Sequence, residues 1–107
     1  MFTIRKTGEG YYLVTLTGSK ENLGHNECHM LKKEISPILK PHKEITINIE
    51  GVKTIDERGF HILNELMNVA KKSRCHIQFI NVDANLLAKI SDLTHKVNFT
   101  YKEAEYE

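Results

Sequence analysis

The chain has 107 residues, of which 40% are apolar and 27% charged, and its 15 basic and 14 acidic side chains give a formal charge of +1. This length and composition predict one globular domain over residues 1–107, large enough for a single apolar core without disulfides or metals. The balanced charge gives no electrostatic reason to expect binding to nucleic acid or to an anionic membrane.

The first part of the chain predicts a β-hairpin followed by a helix. Phe2, Ile4 and the run Tyr11–Leu16 indicate two strands, and the segment 6–10, with two glycines, supplies the turn between them. Apolar residues that share about half of a helical wheel predict a helix over about 23–40. They are Leu23, Met30, Leu31, Ile35, Ile38 and Leu39. Pro37 lacks the N–H that a helix interior needs, so we expect the helix to kink or tighten near Ser36.

The middle of the chain predicts a central strand and a second helix. Ile45, Ile47 and Ile49 alternate with polar residues, which is the two-residue period of a strand. After a turn at Gly51 the period changes, and five apolar residues fall on one helix face. They are Ile62, Leu63, Leu66, Met67 and Ala70. We expect residues from the strands and from this helix to form one buried core. They are Ile45, Ile47, Ile49, Ile62, Leu63, Leu66, Ile77 and Phe79.

Two starts are open for this second helix. Asp56 can act as the N-cap of the first turn, or Thr54 can form a capping box with Glu57 three residues later. Either start leaves a loop between strand and helix that carries Asp56, Glu57, Arg58 and Gly59. Loops held by a rigid strand and helix are frequent sites of recognition. Glycine inside a helix costs about 1 kcal/mol, so Gly59 indicates close packing or the close approach of a partner.

The last part of the chain continues the alternation of strands and helices. Residues 75–82 predict another strand, and Asp83 is a candidate cap for a short third helix with Leu86, Leu87, Ile90 and Leu93. A last strand is expected over 97–101. Alternation of this kind favours a sheet with helices on one or both faces and at least one right-handed parallel crossover.

The histidines and cysteines do not form a recognisable catalytic or metal-binding motif. His25 and His29 share a helix face, but Cys28 points about 100° away from His29, and a zinc site needs three or four converging ligands. Neither Cys28 nor Cys75 has the base that a reactive thiol requires, and no phosphate-binding glycine loop is present. We therefore expect no enzyme activity, no metal and no cofactor. Because no signal peptide and no membrane-spanning run is visible, we expect reduced cysteines and a cytoplasmic location.

The order of motifs from residue 45 to residue 93 resembles the STAS domain. The resemblance rests on a hydrophobic strand and an amphipathic helix with, between them, Asn48, Gly51, Val52, Ile55, Asp56 and Gly59. That family includes bacterial anti-sigma factor antagonists, the cytoplasmic tails of sulfate transporters and small subunits of lipid-transport complexes. The resemblance implies an α/β fold with a mixed sheet of four to five strands and helices mainly on one side.

The loop departs from the pattern of the resembled family. There it usually reads Asp-Ser-Ser-Gly or Asp-Thr-Ala-Gly, whereas here it reads Asp56-Glu57-Arg58-Gly59. In the antagonist branch, the second residue after the aspartate is a serine that a partner anti-sigma kinase phosphorylates. The matching position is Arg58, which cannot accept phosphate, so the resemblance implies a degenerate phosphorylation position. Thr54 is a nearby hydroxyl that does not match the family position.

The resemblance implies a non-enzymatic interaction module in a bacterial cytoplasm that regulates transcription by binding a kinase-type anti-sigma factor. The residues expected to contact the partner are Thr54, Asp56, Glu57, Arg58, Gly59, His61 and Asn64, with Glu65 and Asn68 on the same helix. Two alternatives stay open. One is a small accessory subunit of an ABC-type lipid transporter that docks on its ATPase, and the other is a domain that senses a nucleotide or small ligand.

Overall fold

The structure, a computed structural model, describes residues 2–16, 22–86 and 88. The predicted hairpin is confirmed, because β1 (Phe2–Gly8) and β2 (Tyr11–Leu16) pair antiparallel. Its turn is shorter than the segment 6–10, since β1 continues to Gly8 through an irregularity in register after Lys6. Gly10 closes the turn at a φ of +83°, a backbone conformation that glycine adopts without steric cost.

The hairpin is the antiparallel half of a mixed sheet. β4 (Glu44–Asn48) pairs parallel to β2, and β6 (His76–Ile80) pairs parallel to β4, so the strand order is β1-β2-β4-β6. The predicted central strand and the predicted mixed sheet are confirmed. The strand expected over 75–82 is shorter, because Arg74 and Asn81 have positive φ values of 59° and 58° that end the extended backbone on either side.

The first helix begins later than its apolar pattern predicts. α1 (His25–Ile35) starts after Gly24, whose extended backbone, with ψ of −175°, separates it from Leu23. Leu23 belongs instead to a two-residue strand, β3 (Asn22–Leu23). The prediction of a helix over 23–40 is therefore wrong at this end, because strand pairing rather than the helical wheel decides the conformation of Leu23.

The predicted tightening near Ser36 is confirmed, although the helix also ends earlier than residue 40. The α-helix gives way to a 3₁₀ turn, Ser36–Ile38, with Pro37 near its start. Proline has no N–H to continue the α-helical ladder, and the Ser36 hydroxyl donates a hydrogen bond of 2.7 Å to the Lys32 carbonyl oxygen. The last turn is thereby closed before the chain enters β4.

A second small strand pair places the two helices side by side. β5 (Thr54–Ile55) pairs parallel to β3, and α2 (Glu57–Lys72) follows β5 as α1 follows β3. Lys32 in the third turn of α1 forms an ion pair of 2.8 Å with Glu65 in the third turn of α2. The two helices therefore start together and run in the same direction.

The core lies between the helices and one face of the sheet. The predicted core residues are all buried, which confirms the strand and helix periods: Ile45, Ile47, Ile49, Ile62, Leu63, Leu66, Ile77 and Phe79. The opposite face of the sheet is mostly polar and less buried, and there Gln78 Nε2 donates a hydrogen bond of 3.1 Å to Thr46 Oγ1. The alternation along β4 and β6 thus separates an apolar, buried face from a mostly polar one.

Asp83 caps the helical turn that begins at residue 84. Its Oδ1 accepts a hydrogen bond of 2.9 Å from the Asn85 backbone N–H, and Leu86 is fully buried. The other apolar residues predicted for this helix, and the strand predicted over 97–101, lie outside the described residues. Within the described ranges, no helix is both long and apolar enough to cross a membrane.

Candidate functional site

The loop between β5 and α2 is held by its own backbone and by one carboxylate. Asp56 is the N-cap of α2, with extended backbone, and its Oδ1 accepts a hydrogen bond of 2.7 Å from the Gly59 N–H. The Asp56 N–H donates in turn to the Leu23 carbonyl at 3.2 Å, which joins the loop to β3. The loop is therefore joined to the small strand pair by hydrogen bonds within the chain.

Of the two helix starts open from the sequence, Asp56 is confirmed and the Thr54–Glu57 capping box is wrong. Thr54 lies in β5, two residues before the cap, and its hydroxyl donates a hydrogen bond of 2.6 Å to Asn22 Oδ1 in β3. The strand pairing carries Thr54 away from the first turn of α2. Its hydroxyl therefore supports the contact between β3 and β5 instead of the helix.

We expect Asp56→Ala to lower the free energy of unfolding by about 0.5–2 kcal/mol, because the Gly59 N–H loses its acceptor at the helix start. Urea unfolding followed by circular dichroism measures this. Asp56→Ser is the matched control, since serine is also a good N-cap and should recover most of the loss. Equal destabilisation by both variants would contradict a capping role.

The structure divides the predicted contact residues between surface and interior. The exposed ones are Asp56, Glu57, Arg58, His61, Glu65 and Asn68. Thr54 and Asn64 are half-buried, and Gly59 is buried. Arg58, His61 and Glu65 follow one another at helical spacings of three and four, so they form a single stripe on α2.

Gly59 faces α1 and not the solvent. A Cβ at this position would lie 3.0 Å from Cys28 Sγ, 3.1 Å from Ile55 Cγ2 and 3.2 Å from Asp56 Oδ1, all closer than ordinary van der Waals contact. Of the two explanations that the sequence offered for Gly59, the structure supports close packing. Glycine permits the start of α2 to approach α1, and the approach sets the distance between the exposed stripes of the two helices.

Cys28 lies where the two helices are in contact, and its surroundings disfavour the thiolate form. Burial raises the pKa of its thiol from 9.0 to about 12, and the negative charges of Asp56 and Glu27 add to the effect. Burial also raises the pKa of Cys75. A thiolate is the nucleophilic form of cysteine, so neither environment favours a reactive thiol. Both cysteines are free and buried, so each packs in the interior as a small apolar side chain.

The raised pKa of Cys28 predicts a loss of stability in alkali. Between pH 9 and about pH 12 the unfolded chain releases the thiol proton while the folded chain retains it, so the free energy of unfolding falls as the pH rises through this range. Chemical denaturation at several pH values measures this dependence, and the free energy of unfolding of Cys28→Ala should fall less steeply with pH.

Alkylation tests the burial of the thiol directly. At pH 8, iodoacetamide should alkylate Cys28 in a Cys75→Ser background roughly 100-fold more slowly in the folded chain than in urea. Similar rates in both conditions would contradict the burial.

The sequence did not indicate that exposed residues of α1 lie beside the stripe on α2. His25 and His29 are both exposed, and their rings stack with centroids 6.2 Å apart. Lys32 continues this row and pairs with Glu65, and the hydrogen bond and positive charge of Lys32 lower the pKa of that carboxylate. The spacing of the two histidines indicated a shared face, but no sequence signal indicated that this face borders α2. Among the residues that the structure describes, no three potential metal ligands come together.

The fold matches that of STAS domains. A STAS domain protein of Planctomyces limnophilus superimposes with a TM-score of 0.72, at 14% identity over 96% of this chain and 91% of that one. The unphosphorylated form of the anti-sigma factor antagonist SpoIIAA superimposes with a TM-score of 0.69, at 15% identity over 98% of this chain and 90% of that one. The phosphorylated form of SpoIIAA, a Bacillus cell fate determinant, matches with the same TM-score at 14% identity over 98% of this chain and 92% of that one.

The same fold is found within an anion transporter. The murine anion transporter Slc26a9 matches with a TM-score of 0.71 at 16% identity, over 90% of this chain but 16% of that one. No protein-family model matches the sequence, and neither does any curated protein sequence. The predicted resemblance is thus confirmed at the level of the fold, which is shared by anti-sigma factor antagonists and by a segment of an anion transporter.

Proposed function

We propose that this chain acts as one non-enzymatic protein-interaction module of the anti-sigma factor antagonist kind, in the cytoplasm of a bacterium and in the regulation of transcription. The observation that carries the proposal is the exposed start of α2, with Asp56, Glu57 and Arg58 held on a rigid cap, in a fold that anti-sigma factor antagonists share. A binding surface that is already ordered loses little conformational freedom when a partner docks.

The proposed contact surface runs from the loop along α2 and includes Arg58, His61 and the half-buried Asn64. Arg58 is exposed at the second position of the helix, where a positive charge is mildly disfavoured by the helix dipole. Among the described residues, its guanidinium makes neither an ion pair nor a side-chain hydrogen bond. An acidic group on a partner is the chemistry that complements it, and a kinase-type anti-sigma factor is the proposed partner.

Arg58 also defines how this module would differ from antagonists that are switched by phosphate. In the proposal it occupies the position of the phosphoacceptor serine, and a guanidinium cannot accept a phosphoryl group. The loop would therefore be permanently in one binding state instead of alternating between two. Phosphorylation normally changes the local charge by about −1.5 to −2, so a fixed positive charge removes that means of control.

We expect Arg58→Glu to weaken binding of the partner by tenfold or more and Arg58→Ser to weaken it less, because the first change replaces attraction by repulsion. Both should leave the free energy of unfolding within about 0.5 kcal/mol of the original, as for ordinary surface substitutions. The partner is first isolated from the source organism and identified by mass spectrometry, and affinities are then measured by calorimetry.

Arg5→Glu on β1 is the control for this experiment, since Arg5 is also exposed but lies on an edge strand of the sheet. Unchanged affinity for both Arg58 variants would show that the loop does not carry recognition. Incubation with anti-sigma kinases of the source organism tests the switch, and phosphate found on Thr54 would show that the switch has moved to another residue. Recovery of an ABC-type ATPase instead of a regulator would favour the transporter alternative.

A further inference from the structure

Half of the histidines of the chain lie on the exposed faces of two adjacent helices. His25 and His29 lie on α1 and His61 lies on α2, and all three are exposed. On α1 the spacing of His25, His29 and Lys32 places them in one row, and on α2 Arg58 and His61 form the matching row. We call these five residues the two-helix face.

The two rows form one surface because the helices are in contact. Lys32 reaches Glu65 across the helix boundary at 2.8 Å, and the close approach at Gly59 draws the helix starts together. His29 from one helix and His61 from the other both lie close enough to Glu65 to help lower the pKa of that carboxylate, after the larger effect of Lys32. The two rows therefore share the electrostatic environment of one carboxylate, although no three potential metal ligands come together among the described residues.

The permanent charges around these imidazoles are mainly acidic. The two helices and the Asp56 cap carry five basic and five acidic side chains in total, but two of the basic ones, Lys71 and Lys72, lie in the last turn of α2. Five acidic and three basic side chains lie at the cap or in the first three turns with the imidazoles, namely Glu27, Lys32, Lys33, Glu34, Asp56, Glu57, Arg58 and Glu65. Most of these carboxylates are engaged within the fold, because Glu27 accepts the Gly24 N–H, Asp56 accepts the Gly59 N–H and Glu65 binds Lys32.

Imidazole is the side chain that gains positive charge as the pH falls from about 8 to about 5. The fixed charges beside the imidazoles sum to −2, from three basic and five acidic side chains, and three positively charged imidazoles change this sum to +1. No other side-chain type in the two helices changes its charge to the same extent over this range, since Glu65 stays ionised beside Lys32.

We propose that the two-helix face docks an acidic protein surface and that its affinity for that surface rises as the pH falls. The inference rests on the proposed interaction function, extends the contact surface from α2 onto α1, and adds regulation by pH where Arg58 leaves no phosphoacceptor. Charge complementarity carries it: Arg58 is a fixed positive charge with no ion-pair partner among the described residues, Lys32 is paired with Glu65, and the imidazoles supply the part of the charge that varies with pH.

The experiment uses the full chain, labelled with ¹⁵N, and a 20-residue glutamate-rich peptide as the probe, with a glutamine-rich peptide of equal length as its control. Binding is followed by NMR between pH 7.5 and pH 5.5 at constant ionic strength. We expect shifts confined to α1 and α2 and an affinity about tenfold higher at pH 5.5, because each added exposed charge pair contributes a factor of about two to five. The glutamine peptide should not bind at either pH.

The variant His25→Gln/His29→Gln/His61→Gln should bind the acidic peptide with nearly the same affinity at both pH values. The matched control is His42→Gln/His76→Gln, which removes two exposed histidines elsewhere and should keep the full pH dependence. Equal pH dependence in both variants, or shifts outside the two helices, would overturn the proposal.

Tighter binding of a single-stranded oligonucleotide of equal charge would overturn its assignment to a protein partner. A positive result with no anti-sigma partner recovered would leave this inference standing while removing the proposed function.

Discussion

Leu66→Ala is expected to lower the free energy of unfolding by about 2–5 kcal/mol, the range for a large-to-small substitution in a packed core. Leu66 is fully buried in the middle of α2, on the face that packs towards the sheet. Removal of its side chain loses buried apolar surface and leaves a cavity that the rigid contacts of α2 with α1 and the sheet can only partly close. Urea unfolding monitored by circular dichroism gives the difference.

The control for Leu66→Ala lies on the same helix. Val69 is 42% exposed, so Val69→Ala removes little buried surface and also gains helix propensity. We expect its effect to stay within about 0.5 kcal/mol. A cost below about 1 kcal/mol for Leu66→Ala, or equal costs for the two variants, would contradict the placement of Leu66 in the core.

Gly59→Val is expected to destabilise the fold by about 1–3 kcal/mol, although replacing glycine in an exposed helix normally stabilises it. The reason is the contact between the two helices. A Cβ at Gly59 already lies 3.0 Å from Cys28 Sγ, and the two methyl groups of valine extend beyond it. The start of α2 must then move away from α1, which strains the Asp56 cap and the ion pair between Lys32 and Glu65.

Two comparisons separate this overpacking from a loss of backbone freedom. Asn68→Val, at an exposed position of α2, measures the intrinsic cost of valine in this helix and should be within about 0.5 kcal/mol. Cys28→Ala removes the nearest obstacle, so Gly59→Val should cost less in that background than in the original chain. Additive effects in this double-mutant cycle would show that the two residues do not press on each other.

The same contact links packing to the proposed binding surface. Gly59 and Cys28 determine how closely the helix starts approach, and the approach aligns the row of His25 and His29 with that of His61. A destabilising change at Gly59 is therefore expected to weaken binding at the two-helix face as well, even though Gly59 itself is buried. The packing of small side chains in the interior thus sets the spacing of charged side chains on the surface.

Several features of this protein followed from the sequence because they depend on residues close together in the chain. The alternation of Ile45, Ile47 and Ile49 predicted β4, and the helical spacing of Ile62, Leu63 and Leu66 predicted the buried face of α2. Asp56 was one of two candidate caps because its carboxylate needs only a backbone N–H three residues away. Side-chain periods and caps are local consequences of backbone geometry, which is why a sequence reveals them.

The pairing of β3 with β5 was decided only by the tertiary structure. A strand of two residues has no period to detect, and Leu23 and Ile55 are 32 positions apart, so the apolar Leu23 was assigned to the helix that follows it. The same pairing places Thr54 in β5 instead of at the helix start, and its hydroxyl donates a hydrogen bond to Asn22. These misassignments share one cause, which is a backbone hydrogen-bond partner that lies distant in the sequence.

The side-by-side arrangement of α1 and α2 was likewise a tertiary outcome. The sequence offered close packing or a partner as the role of Gly59, and it placed His25 and His29 on one face, but neither pattern names the neighbouring element. Only the folded chain brings Cys28 against Gly59 and Lys32 against Glu65. A helical period specifies which face of a helix is buried, whereas the identity of the neighbour depends on how the strands that precede each helix are paired.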